Sequence, residues 1–218
     1  MKPQDRYKQE RDESKKARYQ QIVQAAESVF FRKGIEGATM NDIAKEAGIG
    51  VATVFRYFPA KEQLVTVLAD GIMEEIRLTF ASIAEQNATC LEKIGLLFDY
   101  FISLLEERRS SFIKFLEDLH LNVAHARGLY GDVSEHGIAG RKIFAIFTAM
   151  IEEGEKDGSL RTDLPAEEML ITLVNAFGLF ASKLAYQKNV LMLPSDVEPE
   201  KQLLLVKEMM MAFIKAKS

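Results

Sequence analysis

Thr39-Met-Asn-Asp-Ile-Ala-Lys-Glu-Ala-Gly48-Ile-Gly-Val-Ala-Thr-Val-Phe-Arg-Tyr57-Phe58-Pro-Ala-Lys61-Glu-Gln-Leu64 is the stretch that decides the fold. Two short helical patterns flank Gly48. The first carries Ile43, Ala44 and Ala47 on one side, and the second carries Val51, Val54, Phe55 and Phe58. Gly48-Ile49-Gly50 is all that separates them. A turn that short lets two helices cross closely only if its first residue takes a left-handed backbone, which glycine does without steric cost. Ala44, four residues before the turn, is small enough to admit the second helix. Thr39 caps the first helix with Asp42 three residues on, a shortened capping box. Pro59 stops the second, because the residue before a proline avoids helical geometry. Tri-helical modules of this kind lay their second helix in the major groove of DNA.

Outward from this stretch every strong periodicity is helical, and the chain is expected to be all-α. Ile22, Ala26, Val29, Phe30 and Lys33 form a helix that Gly34 ends. A long helix is expected over 61–87 with Leu64, Val67, Leu68, Ile72, Ile76 and Phe80 on one side. Others are expected over 89–108, 110–126, 137–157, 165–188 and 199–216, with a loop or broken helix at 127–140, a turn at 158–165 and a loop at 189–199. The domain reading is an N-terminal extension over 1–14, a three-helix module over 15–64, and a larger helical body over 65–218. The helix starting near Lys61 enters the body without a linker, a plausible means of coupling the two regions.

Composition narrows the classes. The 218 residues are 48% hydrophobic, enough for a buried core. The first eighteen residues carry eleven charges and no apolar run, so a signal peptide is not expected. No apolar run is long enough to cross a bilayer, and no membrane role is expected. The single cysteine, Cys90, excludes an internal disulfide and fits a cytoplasmic location. The net charge of −4 hides an asymmetry. Residues 1–65 hold 12 Lys and Arg against 9 Asp and Glu, whereas residues 66–218 hold 16 against 23. A basic head on an acidic body fits nucleic-acid contact. Within the head, residues 2–18 hold seven basic and four acidic side chains, either a basic arm or, as is commoner, a frayed and solvated tail.

From Arg18 to Leu64 the residues resemble the tetracycline-repressor (TetR/AcrR) family of bacterial transcription regulators. The motifs are Ile22…Ala25-Ala26…Phe30…Gly34, Ala38-Thr39-Met40…Ile43-Ala44…Ala47-Gly48, and Thr53-Val-Phe-Arg-Tyr57-Phe58-Pro-Ala-Lys61-Glu-Gln-Leu64. The rest is similar only in length, helical character and the Gly158…Leu160-Arg161…Asp163-Leu164 turn. The resemblance implies a homodimer reading half-sites of a double-stranded, near-palindromic operator. It also implies a C-terminal body that binds a small apolar or amphipathic effector and loosens DNA binding, as in a repressor. Thr39 and Lys61 match phosphate contacts of the family, and Tyr57 matches a His/Tyr position before Phe58. Gly50, Val51, Ala52, Thr53 and Arg56 are placed to face the groove. Arg56 has two donors for guanine, while Val51 and the Thr53 methyl suit thymine methyls. The chain departs from the family in having Phe55 for a frequent Tyr, Gly50 for a Ser cap, Val51 for Lys or Arg, and Ala60 for Ser or Asn. These leave fewer polar base contacts and give shape readout more weight. Phe55 is expected to pack inward.

Other chemistry finds little support. Glu117 and His120 make one Glu-x-x-His pair, but di-iron bundles need two such pairs and further Glu, and the chain has three His. His120 and His125 are five apart and turn to different faces, and His136 falls in the suspected loop. Neither a metal nor a cofactor is expected. No Ser/His/acid or Cys/His spacing suggests nucleophilic catalysis, so an enzyme is the least supported reading. Phe98, Tyr100, Phe101, Phe112, Phe115, Leu119, Phe144, Phe147, Met150 and Phe177 are candidate pocket lining, with His120, Asn122 and Asn175 as polar groups, although an ordinary helical core has the same composition. Leu170, Leu173, Val174, Phe177, Phe180 and Leu184 face Leu204, Met211 and Phe213 across the last two helices. Their apolar arcs are too broad for one partner, and a four-helix dimer interface would bury both. A DNA-bound adaptor whose body docks a protein instead of a small molecule is the alternative.

Overall fold

The computed structural model describes residues 3–103, 111, 115, 118, 135–187 and 198–216. Among them are eight helices: α1 Pro3–Gly37, α2 Met40–Glu46, α3 Val51–Tyr57, α4 Lys61–Ala84, α5 Cys90–Ser103, α6 Glu135–Asp157, α7 Ala166–Gln187 and α8 Pro199–Ile214. The described residues form no strand, only an isolated bridge between Leu160 and Lys215. Helix α6 begins where a loop was expected, at Glu135, and α4 stops three residues early. The expected helix over 110–126 and the loop at 189–199 lie almost wholly outside the described residues.

Helix α1 is the main departure. The extension is not a frayed tail but the first four turns of one continuous helix. Proline falls where the first turn tolerates it, and no glycine or proline interrupts residues 4–33. Arg6–Glu10 and Gln9–Glu13 pair at one-turn spacing, at 2.9 and 3.0 Å. Such pairs add about 0.2–0.5 kcal/mol each, which alone does not hold a helix in water. The buried turns downstream supply the nucleus. Gly34, at φ 75° and ψ 167°, breaks the helix before one last turn.

Ile22, Ala26, Val29 and Phe30 of α1 pack on Ile43 and Ala44 of α2, Val54 of α3, and Leu64 and Val65 of α4. At 24 residues α4 is about 36 Å long. Its first turns close the head, and Ile72, Phe80 and Ile83 enter the body, where α4 packs most extensively on α6. The two regions therefore share one continuous core.

The body closes through backbone contacts. Arg161 N donates to Ile214 O at 2.9 Å and Ala216 N to Ser159 O at 3.0 Å, tying the end of α8 to the α6–α7 turn. Arg161 also holds Asp163 through two nitrogens, at 2.6 and 2.7 Å, and lies 4.6 Å over the Phe213 ring. At the other end of that turn, Asp157 accepts the Cys90 amide at 2.7 Å and Ser159 accepts the Leu91 amide at 3.2 Å, satisfying the start of α5.

Candidate nucleic-acid interface

The reading surface is built by caps. Thr39 is the extended N-cap of α2, and its hydroxyl accepts the Asp42 amide at 3.1 Å while donating to the Asp42 carboxylate at 2.8 Å. Asp42 also accepts from the Thr39 amide at 3.1 Å and from Lys33 at 2.6 Å. Those bonds, with Lys33 foremost, hold its carboxyl at about 2, well below the usual range. Gly48 takes φ 64°, and the following Ile49 amide reaches back to Ala44 O at 3.0 Å, so the turn expected from the sequence forms as described. Nothing lies within 4 Å of a Cβ added at Gly48, so backbone conformation rather than space requires glycine there. Gln21 of α1 donates to Ala47 O at 2.6 Å and fixes the end of α2.

Helix α3 turns Val54 inward, with its C-cap Phe58, and presents Ala52, Phe55 and Arg56 outward. Val54 and Phe58 are buried, with the Phe58 ring tilted against that of Tyr19 at 4.9 Å between centroids. Val51, Thr53 and Tyr57 are half-buried, and Gly50, Ala52 and Arg56 are exposed. Phe55, expected to pack inward, is 47% exposed. Val54 and Phe58, one turn apart, take the inward positions, and Phe55 lies a third of a turn round from Val54, beside Arg56. The outward face is therefore Ala52, Phe55 and Arg56, partly apolar, with one cation at its edge. Gly50 caps α3 without a side chain.

Lys61 occupies a different place from the one its family match implies. Its ammonium donates to Ile35 O at 2.7 Å and Ala38 O at 3.1 Å, with Glu36 O at 3.5 Å. It thereby satisfies carbonyls at the end of α1, where a cation is favoured. Spacing along the chain gives no warning of a partner 26 residues away.

In the body the candidate pocket residues divide. Phe147, Met150 and Phe177 are buried and Tyr100 is half-buried, with the Phe177 ring tilted against that of Phe98 at 4.6 Å between centroids. Phe115 is buried but lies against Phe30 and Phe31 of α1, at 6.1 and 5.7 Å, beneath the head. Asn175 is exposed on the outside of α7, which removes it from an interior pocket, and Phe144 is 51% exposed. Phe112, Glu117, Leu119, His120, Asn122 and His125 lie outside the described residues, as does the side chain of His136. Cys90 is buried, and burial, with the nearby Asp157 charge, pushes its thiol up to about 12, so it stays protonated. Sequence reasoning passed over Lys93, which is almost fully buried and bonds Glu153 at 2.9 Å, and Gly154, which lets α6 approach the start of α5.

The dimer candidates divide too. Leu170 and Leu184 are buried within this chain's own core and are not available to a partner. Leu173, Val174, Phe180 and Met211 are half-buried against that core. Leu204 and Phe213 are exposed, and with them Leu179, Leu205 and Met209, which the sequence reading omitted. Among the described residues no cluster of three or more His, Cys, Asp or Glu could hold a metal, and no helix is long and apolar enough to cross a membrane.

A family model described as bacterial regulatory proteins, tetR family, matches residues 22–68. The HTH-type transcriptional repressor KstR2 of Rhodococcus jostii is 24% identical over 153 residues, covering 70% of this chain and 72% of that protein. The structure of the ketosteroid transcriptional regulator KstR2 of Mycobacterium tuberculosis superposes with a TM-score of 0.66 at 16% identity, over 92% of this chain and 96% of that one. The transcriptional regulator FadR from Bacillus subtilis, solved in complex with stearoyl-CoA, gives 0.60 at 18% identity over 90% and 99%. These two structures share the fold.

Proposed function

Because the chain belongs to the tetR family of bacterial regulatory proteins, whose members are transcriptional regulators and not enzymes, we propose that it is a homodimeric repressor released from its operator by a small apolar or amphipathic ligand. The observation that carries the DNA-binding half is the outward face of α3, held by the Thr39–Asp42 capping box and the Gly48 turn. In this reading α3 lies in the major groove. Arg56 chooses bases, Val51 and Thr53 contact thymine methyls, and Thr39 and Tyr57 meet the backbone. Phe55, exposed beside Arg56, adds apolar contact to that set. The head spans 15–64 and the body 65–218.

The effector half turns on the body's aromatic centre. Phe98, Phe177, Phe147 and Met150 offer apolar lining, and one structural relative holds an acyl-CoA. An acyl chain with a polar head is the class that fits such lining. Exposed Leu179, Leu204, Leu205, Met209 and Phe213 on α7 and α8 support a self-complementary interface. A DNA target and a cysteine without an internal partner support action in the cytoplasm. The test is binding of duplex DNA from its own promoter, followed by titration with long-chain acyl-CoA. Displacement of a dimer supports the reading. A monomer at micromolar concentration removes the dimer, and acyl-CoA without effect removes this effector class.

A further inference from the structure

The N-terminal helical extension carries an unusual division of charge. At about 100° per residue, Lys8, Arg11, Lys15 and Arg18 all fall within about 40° of the direction of Ile22. Ile22 is fully buried and points into the head's core. The same face, continued upstream past the edge of the core, therefore becomes a row of four cations overhanging α2 and α3. Asp5, Glu10, Asp12 and Glu13 fall outside that arc, with Glu13 opposite it.

The overhang encloses something. Arg11, Lys15 and Arg18 form one wall of an open cleft of about 580 Å³, whose other wall includes Gly50, Thr53 and Arg56 of the reading helix. Four cations line it and no carboxylate does. A neighbouring groove on another side of the same helix is lined by Asp5, Asp12 and Glu13 against Lys8 and Lys16, and so carries no excess of cations. Among the described residues Arg11 and Lys15 enter no ion pair, and Arg18 bonds only the neutral Gln21, at 3.0 Å. Gathering unpaired cations costs free energy through repulsion, which a polyanion relieves.

We propose that Arg11, Lys15 and Arg18 form a second DNA contact that grips the phosphate backbone flanking the groove occupied by α3. The dimensions fit. A helix with its side chains is about 10–12 Å across and the major groove about 12 Å wide, so what borders the seated helix is a phosphate ridge. From Arg11 to Arg18 the row spans about 10 Å, enough to follow that ridge. Phosphate contacts of this type add affinity without choosing sequence. They offset the scarcity of polar groups on the outward face of α3.

The inference rests on the reading that α3 binds DNA, and the experiment separates the two. Full-length protein carrying Arg11→Gln and Lys15→Gln is compared with wild type on a duplex that wild type has selected from a random pool, and on an unrelated duplex, across a salt series. Both sites are exposed and glutamine keeps helix propensity, so circular dichroism should match wild type. The expected result is an equal loss of affinity on both duplexes. The slope of log K against log salt should also become shallower by about 0.9 for each phosphate contact removed. The charge-conserving pair Arg11→Lys and Lys15→Arg should retain the wild-type slope. An unchanged slope and affinity in the neutralised variant overturns the second contact while leaving DNA reading by α3 in place. A wild type that retains no duplex at any salt overturns both.

Discussion

Head and body are joined by one helix but held together by different means. The head is closed by bonds between a side chain and a backbone close by in the chain. Thr39 bonds Asp42, Gln21 reaches Ala47, and Lys61 reaches Ile35 and Ala38. None of these links exceeds 26 residues. The body is closed by groups 52 or more residues apart, such as Lys93 with Glu153, Cys90 with Asp157 and Arg161 with Phe213, and by α6 lying against the start of α5. The head's surface is thus specified by a short string. The body's interior depends on how distant helices meet, as the proposed response to a ligand requires.

The largest break in this contrast comes from the body. Phe177→Ala removes a fully buried ring packed against Phe98 and should cost about 3–5 kcal/mol in chemical denaturation. Because the core runs continuously through α4, head and body should unfold together, and two separate transitions would show the shared core to be weaker than described. Gly154→Ala comes next. Its new Cβ would meet Cys90 Cβ at 2.5 Å and Sγ at 2.6 Å, in a helix where alanine is ordinarily the better residue by about 0.5–1 kcal/mol. Overpacking should outweigh propensity and leave a net loss of about 1–3 kcal/mol. A gain in the denaturation midpoint would mean that α5 and α6 can move apart freely.

Lys61→Met sharpens the head. Loss of a cation from three helix-end carbonyls should lower stability by about 1–2 kcal/mol. A clamp of this kind predicts an unchanged salt slope for DNA binding, whereas a phosphate contact predicts a slope shallower by about 0.9. The smallest effect concerns Asp42. Its carboxyl is depressed to about 2 by Lys33 and Thr39, so the stabilisation it brings is complete above the ordinary carboxylate value and is lost as pH falls from about 4 toward 2. Asp42→Asn should flatten that part of the stability profile in acid titration. An identical acid limb in variant and wild type would show that the capping carboxylate carries no pH-linked stability.

What was legible follows the same division. The α2–α3 turn could be read because Gly48, Thr39 and Pro59 act on their immediate neighbours. Phe55 was misplaced because Val51, Val54, Phe55 and Phe58 span an arc too wide for a two-turn helix to bury. Core contact selects Val54 and Phe58. Leu170 and Leu184 were assigned to a partner because an apolar arc looks the same whether it meets its own chain or another. Charged residues over the extension predict either a basic arm or a solvated tail, and neither reading includes a continuous helix. The downstream turns that nucleate the helix belong to a different argument, namely the packing of Ile22 to Phe30. Gly154 had a faint signal, a glycine inside a helical pattern, but its reason lies on α5.

The central claim is that α3 reads DNA through Arg56. Its most direct test is the ratio of affinities for the wild-type-selected duplex and an unrelated one, measured for wild type and Arg56→Ala at one fixed salt concentration. The account predicts that the variant still binds both but loses most of the preference, about tenfold or more, as expected when a two-donor base contact worth about 1–3 kcal/mol is removed. A variant that keeps the wild-type ratio while both affinities fall together would contradict it.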